Sequence, residues 1–227
     1  MNPYRCACKS ALYVLFSVFA LAASGASGAT LTVTGYTLGD YVNVVSPGHT
    51  GTVATAELNL GFGGTTGYSY CVDLAQSITV GTTTGWDALS AESSSQLIRA
   101  AYLVDTFHPQ LDSLMSTFGV TKQTTIAALQ VAVWEVMGEA PGDYDLGSGS
   151  FSITKASASL LSLSNLMLGS LANANLTSFD SDAIWLQSRT YQDQMFYPRV
   201  NPIPEPGTML LYGFGALIAA FGLRRKA

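Results

Sequence analysis

The sequence predicts an α+β fold: a β-rich single extracellular domain with two to three helices covering the sheet, set between a signal peptide and a C-terminal transmembrane helix. Three observations carry this. Short alternating apolar segments punctuated by Gly and Pro fill the first part of the body, and helical spacings take over in its middle. Alternation then returns from Asp180 to Tyr197. Both ends also break from the body in composition. Charged residues are only 11% of the chain, and with abundant Ser, Thr, Gly and Tyr this suits an exported β-rich domain better than a cytosolic helical one.

At the start, Arg5 and Lys9 precede an apolar run from Ala11 to Ala23 that only Ser17 interrupts. Small residues follow to Ala29, and Ser27-Gly28-Ala29 is an acceptable cleavage site, so residues 1–29 read as a secretory signal peptide. A membrane anchor is the weaker reading, because the run is short for a span.

Residues 30–200 form one domain, long enough for a real core. Leu31–Thr34 and Tyr41–Val45 read as strands between Gly and Pro turns, with Ser46-Pro47-Gly48 as one such turn. Ala54–Leu60 alternates, and Gly61–Gly64 breaks it. Tyr68–Leu74 alternates again, placing Tyr68, Tyr70, Val72 and Leu74 on one face and Ser69, Cys71 and Asp73 on the other. Ser90 is placed to cap a helix through Glu92, running to about Leu103, with Pro109 as the stop for any continuation. Thr124–Gly138 carries Ile126, Val133, Trp134 and Met137 at helical spacing, with Thr124 or Thr125 as cap and Gly138 as stop, which predicts a short core helix. Ala156–Leu171 is a third helix, rich in Leu and Ser, whose serines suit packing or solvent rather than catalysis.

Charge and motifs exclude several functions. All fifteen acidic residues lie between Thr30 and Glu205, against only Arg99, Lys122, Lys155, Arg189 and Arg199 as basic ones. A partner bound through phosphates, nucleic acid included, is therefore not expected. There is no GxGxxG, P-loop, HExxH or zinc spacing, and no cofactor is expected. His49 and His108 have no second ligand at metal spacing. Asp143 and Asp145, with Gly142 and Gly147, read as surface acids in a turn rather than a calcium loop.

The other end is built in three parts. Asn201–Gly207 is a stiff, helix-breaking segment, Thr208–Leu223 is apolar or small throughout, and Arg224-Arg225-Lys226 closes the chain. With basic residues on one side only, the tail stays cytoplasmic and the body lies outside. Residues 201–227, with Pro204-Glu205-Pro206 as the motif, resemble the PEP-CTERM sorting signal of Gram-negative bacteria. The resemblance implies transient residence in the inner membrane, recognition by an exosortase-type processing enzyme, cleavage near the motif, and delivery to the cell surface or extracellular matrix. An ordinary tail anchor that is never cut is the alternative.

Two residues stand out within the body. Cys6 and Cys8 leave with the signal peptide, so Cys71 is alone in the mature chain and has no partner for an internal disulfide. Gln130 lies four residues from both Ile126 and Trp134, in the middle of the apolar stripe, where a buried amide must be satisfied or cost about 1–3 kcal/mol. A backbone partner for Gln130 and an inert thiol at Cys71 would account for each separately. One reaction accounts for both: the Cys71 thiolate attacks the Gln130 side-chain carbonyl, expels ammonia and leaves an internal thioester. A primary amide is a poor electrophile, so the pair must be held at attack distance. Asp73 is a candidate for the proton transfer that the leaving nitrogen needs.

Tyr70-Cys71-Val72-Asp73 and Leu129-Gln130-Val131-Ala132-Val133-Trp134, in that order, resemble the thioester domains of bacterial surface adhesins. Similar segments also occur in exported proteins with PEP-CTERM tails. The stretch Ile98–Thr106 adds to the likeness, which covers roughly Asp40 to Gly147. It implies that Cys71 and Gln130 form a thioester that acylates, once and without turnover, an extracellular protein amine or polysaccharide hydroxyl. The protein would then be an adhesion-like covalent binder, not an enzyme. Trp134 and Tyr70 are the candidates to shield the bond from water. A noncovalent carbohydrate- or matrix-binding module with an inert cysteine is the alternative, and a Cys71–His108 dyad of a cysteine hydrolase or transglutaminase is a minor one.

Overall fold

The long hairpin that opens the domain sets its shape. In the computed structural model, which describes residues 28–199, strand β1 (Ala29–Ser46) turns at Pro47-Gly48 into β2 (His49–Phe62), and the two pair antiparallel along almost their whole length. Gly48 takes φ 93° at this turn, a conformation that costs glycine nothing. Gly63 and Gly64, at φ 58° and 82°, then turn β2 into β3 (Thr65–Cys71). The predicted signal peptide up to Ser27, and the sorting segment with Pro204, Glu205, Pro206 and its apolar run, lie outside the described residues. Among the described residues no helix is long and apolar enough to cross a membrane.

Strands β4 (Gly81–Ser90), β6 (Ile184–Ser188) and β7 (Gln194–Pro198) complete an antiparallel ring in the order β1-β2-β3-β7-β6-β4, with β4 returning to the first residues of β1. A short strand, β5 (Ser152–Lys155), adds to β1 at Asn43–Val45. Register assigns the faces. Leu58, Leu60, Ser69, Cys71, Leu186, Gln194 and Phe196 share the inner face, and Glu57, Tyr68, Tyr70, Met195 and Tyr197 the outer one.

Four α-helices are described: α1 (Ser95–Phe107), α2 (Leu111–Phe118), α3 (Lys122–Gly138) and α4 (Ala158–Ser170). The expected β-rich α+β architecture holds, with corrections. The two strands expected at Leu31–Thr34 and Tyr41–Val45 are one, because the glycines between them are absorbed as irregularities at Val33/Gly35 and Leu38/Tyr41 that bend the strand without ending it. Ser90 caps only a 3-10 turn, and α1 starts from Ser94, whose Oγ accepts the Leu97 N–H at 3.0 Å. Pro109 sits in a 3-10 turn that leads on into α2. Strand β4 is not legible in the sequence at all: only Trp86 in it is buried, so it has no apolar alternation to read.

Helix α3 is the pillar of the domain. It begins two residues before the expected start, capped by Thr121, whose Oγ1 accepts from the Thr124 nitrogen at 3.2 Å. The expected apolar stripe is in fact a helix buried on all sides from Thr124 to Val136, packed between β1, β2 and β3 and the other three helices. Close approach is secured by small groups. A Cβ at Gly39 would press on Thr55 Oγ1 and lie 3.1 Å from the Ala127 nitrogen, so β1 can meet the helix only as glycine there. The α4 serines behave as expected where they are buried: Ser164 Oγ donates to the Ala128 carbonyl at 3.0 Å.

One residue of this helix makes the fold pH-sensitive. Glu135 is fully buried, and neither carboxylate oxygen has a hydrogen-bond partner among the described residues. Burial pushes its carboxyl up to about 7; the nearby Asp145 backbone N–H, short of a formed bond, opposes this in part, and the carboxylates of Glu139, Asp145 and Asp143 add to it. A raised acid is stabilising in its protonated form. Stability is thus complete below the ordinary glutamate pKa, near 4.3, and is lost as pH rises toward 7. With allowance for the solvated turn beside it, the loss is about 1–2 kcal/mol. Glu135→Gln is expected to flatten this part of the pH profile of the thermal midpoint, and a profile unchanged in the variant would contradict the assignment.

Candidate functional site

The site lies where β2 and β3 part company. Their pairing runs from Phe62↔Thr65 to Leu58↔Ser69 and then stops, which leaves the Cys71 N–H and C=O without a strand partner on that side. On its other side β3 continues against β7, with Cys71 opposite Gln194 and the Val72 N–H donating to Asp193 O at 3.0 Å. Helix α3 fills the gap with one side chain. The Gln130 carboxamide accepts the Cys71 N–H through Oε1 at 3.0 Å and donates through Nε2 to the Cys71 carbonyl at 2.6 Å. A primary amide presents donor and acceptor side by side, so it copies the two bonds of a neighbouring strand residue. The same pairing fixes the orientation of the amide, since only the oxygen can meet an N–H.

The backbone partner expected of a buried glutamine is therefore found, and it is the cysteine itself. The arrangement that satisfies the amide also lays its carbonyl beside the residue that carries the thiol. With the Cys71 N–H bonded to Oε1, the carbonyl is polarised, and negative charge developing on that oxygen during attack would already have a donor.

Around the thiol the inner face is polar. Gln194 Nε2 donates to Cys71 Sγ at 3.5 Å and to Gln192 O at 3.0 Å, while its Oε1 accepts the Ser69 hydroxyl at 2.6 Å. Ser69, Cys71 and Gln194 are all buried. Burial pushes the Cys71 thiol up to about 12, and Gln194 opposes this only in part. At neutral pH the residue is a thiol, so any attack needs the proton removed as the bond forms. Gln194 is a residue that sequence reasoning missed; the one signal for it is an amide sharing a strand face with Phe196.

Cys71 and Gln130 both line a cavity of about 720 Å³ at the open end of the inner face. Trp134, one turn beyond Gln130, forms part of its wall and is 4% exposed. It also borders a second cavity of about 300 Å³, with Met137, Gly138 and Phe151. Trp134 lines both cavities, together with Leu74 and Ala75.

Other expected positions move. Tyr70 faces the opposite side of β3 from Cys71. Its hydroxyl donates to Glu57 Oε2 at 3.1 Å and lies 3.1 Å from His108 Nδ1, and burial followed by the Glu57 carboxylate holds its phenol well above the ordinary range. It is a core residue of the outer layer and is not at the cavity, because neighbours on a strand point to opposite faces. His108 is tied to the same group, 3.4 Å from Glu57 Oε2 and packed against the rings of Tyr68 and Tyr197. The Cys71–His108 dyad is not formed. Asp73 anchors a turn: Oδ1 accepts from the Ala75 and Gln76 nitrogens at 3.0 and 3.1 Å, and Oδ2 from the Asp193 nitrogen at 2.7 Å. Its carboxylate is employed in holding the loops that frame the cavity, and no bond to the thiol or to Gln130 is formed. Asp145 likewise closes its own turn through Gly147 and Ser148, and among the described residues no group of three His, Cys, Asp or Glu is placed to hold a metal ion.

Compared with known proteins, residues 202–226 match the PEP-CTERM protein-sorting motif, which marks the chain for export, processing by an exosortase-type enzyme, and surface or extracellular sorting in a Gram-negative bacterium. Among solved structures, the chain is similar to the N-terminal thioester domain of a surface protein from Clostridium perfringens at 10% identity, over 71% of this chain and 97% of that one, with a TM-score of 0.40. No curated protein matches the chain.

Proposed function

We propose that this exported protein closes a thioester between Cys71 Sγ and Gln130 Cδ and uses it once to attach itself to an extracellular nucleophile. The observation that carries the reading is the clasp of the Gln130 carboxamide on the Cys71 backbone, in the wall of a cavity that both side chains line. In closing, Sγ bonds to Cδ, the Cδ–Nε2 bond breaks, and the thiol proton leaves with nitrogen as ammonia. Holding the partners in place supplies most of what a poor electrophile needs, because effective molarities for well-oriented groups reach about 10⁵–10⁸ M. Transfer then reverses the exchange: a nucleophile adds to Cδ, the C–S bond breaks, and Cys71 is a thiol again. There is no turnover, so the protein is a covalent binder and not an enzyme.

The rival reading rests on the same bonds. If the carboxamide serves only to complete the sheet, Cys71 is inert and the cavity binds a carbohydrate or matrix component noncovalently. Intact mass separates the two. The exported protein is expected to weigh one ammonia less than its sequence, to resist alkylation while folded, and to take up methylamine; Cys71→Ala and Gln130→Ala are each expected to abolish the uptake. A mass at the sequence value, with a thiol that alkylates in the native protein, would leave the noncovalent module standing.

A further inference from the structure

Both the closing and the transfer reaction change the charge on sulfur, and one donor in the structure is aimed at that atom. Gln194 lies opposite Cys71 across the β3–β7 ladder and donates through Nε2 to Sγ at 3.5 Å. Among the described residues no other side chain bonds to the sulfur. The amide is held at both ends: Oε1 accepts the Ser69 hydroxyl at 2.6 Å, and Nε2 also donates to Gln192 O at 3.0 Å. Its orientation is therefore fixed, since only the nitrogen can donate to a carbonyl.

Ser69 and Gln194 are each 0% exposed. Two apolar residues of the same shape would fill this part of the inner face without burying polar groups. The bond to sulfur does not make up the difference, because a thiol is a weak acceptor. It becomes a strong one only as a thiolate, since a hydrogen bond to an ionised acceptor is roughly twice as strong as a neutral one. Burial is what holds the Cys71 thiol up at about 12, and Gln194 is the largest influence against it. A donor that gains strength only as charge builds on the reacting atom favours the transition state over the ground state.

Resting on the thioester reading, we infer that Gln194 serves the sulfur end of the exchange: its N–H directs Sγ and stabilises the negative charge that the sulfur carries as the Cδ–Sγ bond forms or breaks. Ser69 acts through it, as a positioning residue. In closing, the sulfur adds to Gln130 Cδ, Nε2 of Gln130 leaves as ammonia with the thiol proton, and Gln194 keeps its own protons. In transfer to an amine, nitrogen adds to Cδ, the electron pair of the Cδ–Sγ bond passes to sulfur, and the proton that nitrogen loses ends on sulfur. The products are an amide and the Cys71 thiol. Two donors then divide the reacting centre, the Cys71 N–H at the carbonyl oxygen and the Gln194 N–H at the sulfur.

The test uses protein exported and processed from the full-length chain, with hydroxylamine as the nucleophile and its uptake followed by intact mass on the folded fraction. Ser69→Ala/Gln194→Met removes both halves of the buried pair, so neither is left facing an orphaned partner. It is expected to open about 10-fold or more slowly than the parent; a full mass in the folded variant would show that closing itself is lost. Ser69→Ala alone, which keeps the donor without its anchor, should slow opening by a smaller factor. Gln194→Glu supplies the readout that packing would not move. Its carboxylate sets negative charge against the sulfur, so the rate relative to the parent should fall by about 10-fold or more between about pH 6 and pH 8 as the new acid ionises. An ammonia-light double variant that opens at the parent's rate would overturn the inference, as would a ratio for Gln194→Glu that stays flat with pH. Should the double variant not fold, the two single variants decide, and parental rates in both overturn it. A parent at full mass that takes up no hydroxylamine would instead bring down the thioester reading, and this inference with it.

Discussion

A glutamate at position 130 is expected to give a protein whose stability, compared with its parent, drops by about 3–4 kcal/mol between about pH 4 and pH 7. The change is isosteric, so packing is not the cause. One carboxylate oxygen still accepts the Cys71 N–H, but the other takes the place of Nε2, 2.6 Å from the Cys71 carbonyl oxygen. Two acceptors then face each other at a fully buried site. Protonation repairs the contact, because the acid O–H donates where the amide did, and burial acts in the same direction; both raise the folded-state pKa above the ordinary 4.3 or so. Below that value the carboxyl is protonated in both states and stability is near that of the parent. As pH rises the unfolded chain ionises first, and stability falls by about 1.4 kcal/mol per unit until the folded carboxyl also ionises. The comparison belongs in a Cys71→Ala background, where no thioester can form, with urea midpoints taken across the range. A difference between Gln130→Glu and its parent that stays flat with pH would show that the carboxamide does not bridge the Cys71 backbone as described. The result also matters for function, because hydrolysis of a Cys71–Gln130 thioester would leave this same glutamate. A spent site would be a destabilised one.

The parts of this molecule that are legible in the sequence are those where one residue type admits one local answer. Pro47-Gly48 and Gly63-Gly64 dictate their turns, and the strands around them are bounded accordingly. Cys71 and Gln130 can be paired from the sequence because each is an anomaly on its own element, and the fold brings them into contact. Nothing decided by the third dimension shows in the same way. Helix α3 reads as having one apolar stripe because Ile126, Val133, Trp134 and Met137 fall at helical spacing; its Ala, Thr and Gln positions are buried as well, because β1 and α4 approach through Gly39 and Ser164. Tyr70 has the look of a shield because it precedes the cysteine, whereas strand alternation sends it to the outer layer with Glu57 and His108. Gln194 has no neighbouring motif to mark it. It reaches the thiol only because β7 pairs with β3, which no local pattern in the sequence encodes.

Trp134→Ala tests whether the wall of the cavity is more than packing. The indole is nearly fully buried, sits 6.4 Å from the Phe151 ring, and has no hydrogen-bond partner for Nε1 among the described residues, so its loss costs contact and cavity energy alone. Removing a tryptophan from such a site is expected to destabilise the domain by about 3–5 kcal/mol. Packing alone would produce that figure even if the residue had no other part to play. Its place between two cavity linings supplies the distinguishing expectation. With the indole gone, the cavities of about 720 and 300 Å³ lose one of the walls they share with Leu74 and Ala75, and water is expected to gain a further route to the buried Gln130 carbonyl. Under the thioester reading, hydrolysis in the folded fraction should quicken well beyond what added unfolding explains, followed as the return of an alkylatable Cys71 thiol. Trp134→Phe, which keeps a ring in the gap, should restore most of the lifetime while recovering only part of the stability. If instead the folded alanine variant holds its bond as long as the parent does, Trp134 is core, and protection of the bond lies with the loop of Leu74 to Ile78, which also lines the cavity.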